Sequence, residues 1–331
     1  MTAVTVGSLC TGIAGLEHGL TLAGLNTETV FVSDIDKGAC TWLEANVSAP
    51  NLGDFTALDE LPPVDILTAG FPCQPLSLSG LRKGVEDDRW LWGDIQRLVG
   101  RMGTRPVLFL ENVPGLLSAN DGDAMARVVH GLAAIGYSIT WGTLAAAAVG
   151  APHRRLRWFG VAQHPDGLAW RTSQPLADPE RVDAERRADS RFTETAADAA
   201  GARHENKRVT IPTKPQLSRP RSDQHAASDT AERFGRYARA VERWELILGR
   251  RAPDPVIDGK LSQFFVEWMM GFPQGWVTDT LDRRTQALHA LGNAVVPQCA
   301  AAAFTALASR IDDQAADGRS QTPAARSLTR W

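Results

Sequence analysis

The sequence predicts an α/β protein with a doubly wound, mostly parallel sheet and a second, smaller region toward its C-terminus. Short apolar runs alternate with amphipathic stretches through roughly the first 160 residues, the pattern of strands buried on both faces and joined by crossover helices. Several runs end in glycine, proline or acidic residues, as expected where strands open into ligand-binding loops. From about residue 163 the alternation lapses into a polar, aliphatic-poor segment.

Residues 4–9 form the first apolar run and lead into a Gly-rich turn, with a helix over 16–23. Residues 29–32 are β-rich and end at Asp34, and 37–46 suit a helix. The run 64–69 stops at Gly70-Phe71-Pro72-Cys73, and a helix over 90–99 follows. Residues 107–110 read as a buried strand ending at Glu111-Asn112, 121–135 as a helix and 157–162 as a strand. Residues 163 to about 230 carry too little apolar surface to fold by themselves. Order returns at 237–248, where Val241, Trp244, Leu246 and Ile247 share a packing face, then in helices over 264–270 and 300–309. The expected division is 1–162, a partly disordered region 163–260, a segment 261–312 returning to the first domain, and a flexible tail 313–331.

With 331 residues, 44% hydrophobic and 22% charged, the composition is that of a soluble globular protein with a substantial core. Neither a secretory leader nor an apolar run of about 18 residues is evident. The net charge of -3 hides an asymmetry: residues 151–260 hold 21 Lys and Arg against 16 Asp and Glu, and the rest hold 14 against 22. A basic segment on an acidic body suits a phosphate-bearing partner, or equally a solvated linker. The four cysteines, Cys10, Cys40, Cys73 and Cys299, form no CxxC pair and no zinc spacing, so free thiols and no metal are expected.

Four strand ends carry candidate chemistry, and in an open sheet they converge on one crevice. The turn Gly12-Ile13-Ala14-Gly15 allows close approach of a ligand to backbone N–H groups, though such turns also occur where no nucleotide binds. Asp34 can accept ribose hydroxyls or cap the next helix, as Asp36 could equally. Asp54 is a cofactor contact or a turn residue. Cys73, between Pro72 and Gln74-Pro75, sits in a rigid turn at the ligand edge, which favours a nucleophile over a structural cysteine. Glu111 follows an apolar strand, so its pKa should rise as suits a proton donor; the alternative is an ion pair to Arg155 or Arg157. Arg154, Arg155 and Arg157 could also serve as phosphate contacts or surface ion pairs.

Phe71-Pro72-Cys73-Gln74-Pro75-Leu76-Ser77, Glu111-Asn112-Val113, Ala151-Pro152-His153-Arg154-Arg155-Leu156-Arg157 and Leu291-Gly292-Asn293-Ala294-Val295-Val296-Pro297 occur in that order. The ordered series resembles the cytosine-5 DNA methyltransferase family over residues 4–161 and again over 261–303, with an end segment most similar to phage and bacterial members. The resemblance implies a Rossmann-like methyltransferase sheet with a small target-recognition domain at 163–260. It also implies S-adenosyl-L-methionine as donor, double-stranded DNA as substrate, a monomer, and a cytoplasmic setting in a bacterial or phage-infected cell.

By that resemblance Cys73 attacks C6 of cytosine, Glu111 contacts N3 and the exocyclic amine, Arg157 reaches O2 and Arg155 orients the site. Gly12, Ile13, Gly15, Asp34, Ile35, Asp54, Pro72 and Asn293 match donor-contacting positions. Residues 77–88 resemble a mobile catalytic loop, with Ser77 and Ser79 at the DNA and Arg89 anchoring the closed loop or touching phosphate. A stacked cytosine hides its ring faces, so the base has to be flipped out of the duplex.

The chain departs from the family pattern in five places. Cys10 stands for a usual aromatic, Ala14 for a third glycine, Ile35 at the adenine flank, His153 for a common Gln, and Phe264-Phe265 where Arg-Glu is frequent. The first three bear on cofactor affinity, and the Phe pair puts a structural ion pair near the domain hinge in question. Three rival functions stand beside this reading: an RNA-directed (tRNA) cytosine-5 methyltransferase, a nicotinamide-dependent oxidoreductase, and a non-catalytic DNA-binding relative. The oxidoreductase lacks a full G-x-G-x-x-G here and leaves Cys73 and Glu111 without a role.

Overall fold

The computed structural model describes residues 3–72, 90–167 and 230–318, with side chains as far as residue 310. Six strands, β1 (Val4–Leu9), β2 (Thr27–Phe31), β3 (Ile66–Gly70), β4 (Val107–Asn112), β5 (Ser138–Ala145) and β6 (Leu156–Gln163), form one sheet in the order β2-β1-β3-β4-β6-β5. The first four pair in parallel, whereas β6 runs antiparallel to both β4 and β5. The chain leaves β1 toward β2 and returns on its other side as β3, so the order reverses between β1 and β3. In a sheet of this kind the crevice at that reversal is where ligands bind.

Alternate side chains of the strands feed two cores. On β4, Val107 and Phe109 enter one, and Leu108 and Leu110 the other, as the two-residue period of a strand requires. The first core is shared with α1 (Gly15–Leu22) and the second with α3 (Trp92–Arg101) and α4 (Asp123–Ala134). α2 (Lys37–Asn46) starts at Asp36, whose Oδ1 accepts from the N–H groups of Gly38 and Ala39.

The C-terminal part folds back onto this sheet. It comprises α5 (Ala238–Leu248), a hairpin of β7 (Val256–Ile257) and β8 (Lys260–Leu261), α6 (Gln263–Met269), α7 (Arg284–Asn293) and α8 (Pro297–Gly318). On α5, Val241 and Trp244 are buried and Leu246 is exposed, so the packing face is narrower than expected. α8 lies against α1 so closely that a Cβ on Gly19 would come within 2.5 Å of the Ala300 Cβ. Phe304 meets Phe109 edge to face at 5.1 Å. The stretch Arg284–Arg310 is long and apolar enough to cross a membrane by length and composition, but 61% of its most apolar 18-residue window is buried inside the protein, as in a core helix.

Several elements differ from the expectation, among them the β7–β8 hairpin and α7, for which no strand or helix was expected. β5 was not foreseen because it is an edge strand whose side chains are mostly only partly buried, leaving a weak apolar pattern. β4 continues through Glu111 and Asn112, because β6 pairs with both, opposite Phe159 and Trp158. α8 continues to Gly318, past residue 312, since Ile-Asp-Asp-Gln-Ala-Ala contains no proline or glycine to stop it.

Candidate active site

The turn after β1 is built from left-handed residues. Cys10, Gly12 and Ala14 have φ of 53°, 60° and 57°. Ala14 therefore occupies a conformation that costs an L-residue about 1–2 kcal/mol, which is the physical reason a glycine suits this position. Gly12 N–H donates to Asp34 Oδ2 at 2.7 Å and Thr11 N–H to the Ser33 carbonyl at 3.1 Å, tying the turn to the end of β2. Gly15 opens α1 where a Cβ would lie 2.8 Å from Val295 Cγ1 and 3.0 Å from the Val295 oxygen, so glycine here permits contact with the C-terminal segment. From that segment the Trp276 indole N–H donates to the Ile13 carbonyl at 2.9 Å, and its ring stacks on His18 with centroids 4.7 Å apart.

Trp276 is itself held by a buried carboxylate. Glu267 accepts from the N–H groups of Gly275, Val277 and Thr278 at 2.8, 2.8 and 3.0 Å. The neighbouring Phe265 is buried and stacks on Trp268. A carboxyl thus anchors this loop despite the Phe264-Phe265 departure, supplied from two positions beyond Phe265 on α6.

The acids predicted for the cofactor have structural partners. Asp34 is bonded through both oxygens, to Gly12 N–H and, at 2.8 Å, to Asp36 N–H. Burial pushes its carboxyl upward, against the pull of those N–H donors. Asp54 Oδ1 caps the short 3-10 turn Phe55–Ala57 through Thr56 N–H at 2.9 Å and Thr56 Oγ1 at 2.7 Å. Burial first, then the negative charges of Asp34 and Asp54, push the Cys10 thiol far up and keep it protonated.

On the other side of the reversal, Glu111 stands opposite Gly70 in the β3–β4 register. A Cβ on Gly70 would lie 3.5 Å from Glu111 Oε2, in ordinary contact, so the carboxyl stands directly over this position. Arg157 sits two residues before Phe159, the antiparallel partner of Glu111, and its Nε is 3.0 Å from Glu111 Oε1. Burial pushes Glu111 above the ordinary carboxylate range, while the charges of Arg157 and then Arg155 pull it down. Asn112 Nδ2 donates to the Phe71 carbonyl at 3.2 Å, fixing the chain just before Pro72. Arg155 points the other way, donating to the carbonyls of Gly292 (2.7 Å) and Ala294, on either side of Asn293. His153 Nε2 lies 3.0 Å from the Met269 carbonyl.

Glu111, Arg157 and the strand-end turns line one cavity of about 660 Å³. Its wall includes every predicted donor-contacting residue, Gly12, Ile13, Gly15, Asp34, Ile35, Asp54, Pro72 and Asn293, together with Glu111 and Arg157. Ile35 is 71% exposed there, an apolar side chain held at the cavity edge. Arg155 is outside the wall and acts on it through the Asn293 segment. Cys73, Ser77, Ser79 and Arg89, and with them the expected catalytic loop and most of 163–260, lie outside the described residues. Two ionisable wall residues were not predicted: Glu17, an acid between the buried Leu16 and Gly19 of α1, and His289, four residues before Asn293 on α7. An acid on an apolar helix face was the available signal for the first; one helical turn from a motif residue was the signal for the second.

A family model described as C-5 cytosine-specific DNA methylase matches residues 4–249. The type II methyltransferase M.MspI of Moraxella sp is 37% identical over 158 residues, 46% of this chain and 37% of that protein. M.NlaX of Neisseria lactamica is 36% identical over 173 residues, 51% of this chain and 55% of that protein. The chain thus matches only about a third to a half of the length of such relatives. Among solved structures, the S. pombe Dnmt2 methyltransferase superposes with a TM-score of 0.54 at 18% identity, covering 93% of this chain and 99% of that one. A putative DNA modification methyltransferase encoded within an E. coli prophage gives 0.56 at 17%, covering 94% and 100%. These likenesses show a shared fold. The family match spans most of the sequence and includes the strand ends that build the cavity, and on that ground the chain belongs to the C-5 cytosine-specific DNA methylase family.

Proposed function

We propose that the protein is a DNA (cytosine-5)-methyltransferase that receives a cytosine flipped from duplex DNA, adds Cys73 to C6 and methylates C5 with S-adenosyl-L-methionine. The observation that carries this reading is the Glu111–Arg157 pair set into the wall that the Gly12–Gly15 turn and Pro72 also line. A buried carboxyl whose proton affinity is raised by burial, beside a fixed guanidinium, suits the N3 and O2 edge of an extruded pyrimidine.

C5 of cytosine is a poor nucleophile. Addition of the Cys73 thiolate at C6, with a proton held at N3 by Glu111, makes the ring an enamine reactive at C5. Arg157 holds O2 and keeps the Glu111 carboxyl oriented. Bound in the cavity, S-adenosylmethionine supplies an electrophilic methyl on a sulfonium. Loss of the C5 proton and then of the thiolate restores the ring.

The cavity suits that donor. Its volume is in the range of sites for drug-sized ligands. The α1 N-terminus offers N–H groups to a carboxylate, and Ile35 offers an apolar flank to a base. Its wall carries five acidic side chains, Glu17, Asp34, Asp36, Asp54 and Glu111, against two basic ones, Arg157 and His289. That balance favours a cation and disfavours the pyrophosphate of a nicotinamide cofactor. In this reading residues 1–162 bind donor and base, 163–260 recognise the target, 261–312 complete the donor site and 313–331 form a tail. Ser77, Ser79 and Arg89 work at the DNA in a monomer acting in the bacterial or phage-infected cytoplasm.

Duplex DNA carrying 5-fluorocytosine tests this, because fluorine does not leave as the C5 proton does. A denaturation-resistant protein–DNA adduct should form with donor present, and Cys73→Ala should form none. Trapping by both proteins, or by neither across a random-sequence library, overturns the mechanism. A tRNA arm with labelled donor separates the RNA-directed alternative.

A further inference from the structure

Glu17 lies in the first turn of α1 and lines the cavity wall. It is 9% exposed. The Thr68 hydroxyl donates to its Oε1, while its Oε2 is buried without a hydrogen-bond partner among the described residues. A second carboxyl oxygen left this way inside protein is costly as an anion unless a positive charge arrives beside it.

The groups facing it are hydroxyls rather than ions. Ser8 on β1 and Thr68 on β3 stand against the carboxyl, and both favour its charged form less than burial opposes it. The α1 N-terminus also favours the anion. His18, next on the same helix, stacks on Trp276. Residues 297–309 of α8, packed along α1, carry no charged side chain. Asp34, Asp36, Asp54, Glu111, Arg157 and His289 share the cavity wall, an excess of negative charge.

We propose that Glu17 is the counter-ion for the sulfonium of the methyl donor, neutral without it and ionised with it, and so the residue that separates charged donor from uncharged thioether product. The inference rests on the methyltransferase reading. When the cation enters, the carboxyl gives its proton to bulk solvent, and the pair forms in a low-dielectric site where it is strong. When methyl transfer turns the sulfonium into a thioether, Glu17 takes a proton back and the product loses that attraction. The ammonium and carboxylate common to donor and product cancel in the comparison.

The test is calorimetric binding of S-adenosylmethionine and S-adenosylhomocysteine to the full chain, between pH 6 and 8.5, in two buffers of different ionisation enthalpy. The wild type should release close to one proton with the donor and almost none with the product, and its donor affinity should tighten as pH rises. Glu17→Gln should abolish the release and weaken the donor about tenfold while leaving the product within twofold. Thr68→Val, which removes a donor to the anion, should move the release to higher pH. Equal losses for both ligands in Glu17→Gln, or no proton release by the wild type, overturns the proposal while leaving the methyltransferase reading standing. Binding of neither ligand by the wild type overturns both.

Discussion

Glu111 and Arg157 are 46 positions apart in the chain, yet their side chains meet at 3.0 Å because β4 and β6 pair antiparallel with Glu111 opposite Phe159. The pair sets the proton affinity of the carboxyl: burial raises it, and Arg157, with Arg155 behind it, opposes the rise. Removing Arg157 leaves burial less opposed, so the acid form persists to higher pH. In single-turnover methylation, Arg157→Ala should lower the rate about a hundredfold. It should also move upward the pH at which activity falls through loss of the Glu111 proton, and Arg157→Lys should move it less. An unshifted profile would detach Arg157 from the titration of Glu111.

The contact between Gly15 and Val295 gives a second expectation. Gly15→Ala places a methyl 2.8 Å from Val295 Cγ1 and 3.0 Å from its carbonyl oxygen. The segment carrying Asn293 must move away, at a cost of about 1–3 kcal/mol. Donor affinity should fall more than duplex affinity, and adding Val295→Ala should restore only part of it, since the carbonyl clash stays. Donor and duplex titrations of both variants check this, and additive effects would show that the two sites are uncoupled.

Ala14 offers the opposite case. Its φ of 57° strains an alanine but not a glycine. Ala14→Gly should raise stability by about 1 kcal/mol, after the entropy a glycine adds to the unfolded chain. Urea denaturation reads the change, and an unchanged or lower midpoint would mean the turn relaxes its strain elsewhere.

Glu267 holds three backbone N–H groups of the loop that carries Trp276. Glu267→Gln replaces one acceptor oxygen by an amide NH2 donor facing those N–H groups, which should cost about 3 kcal/mol. Because Trp276 reaches the Ile13 carbonyl, the loss should also redden tryptophan emission and weaken the donor. A destabilised protein with unaltered donor affinity would show that the loop and the turn are independent.

Much of the site was legible in the sequence because it is local. The helix start at Asp36, the turn at Gly12–Gly15 and the carboxylate ending an apolar run depend on neighbours within a few positions, and short-range sterics and capping decide them. The strand ends were recognisable, and with them the residues that gather at the crevice. Glu17 was marked only by its place on an otherwise apolar face of α1, a weak signal, since an acid in the first turn of a helix is an ordinary surface choice. Only the burial of α1 against β3 turns it toward Thr68.

The sequence by itself determined the alternation of strands and helices, the ordered motifs and the set of side chains available for chemistry. Tertiary structure decided which of them share a wall. It gave Glu111 to Arg157 through strand register, brought Asn293 and His289 to a turn nearly three hundred residues earlier, and committed Asp34 and Asp54 to holding loops. The physical reason is range: a cap or a turn is fixed by adjacent residues, whereas a pairing across the sheet depends on how the two cores pack, which no short window of sequence contains.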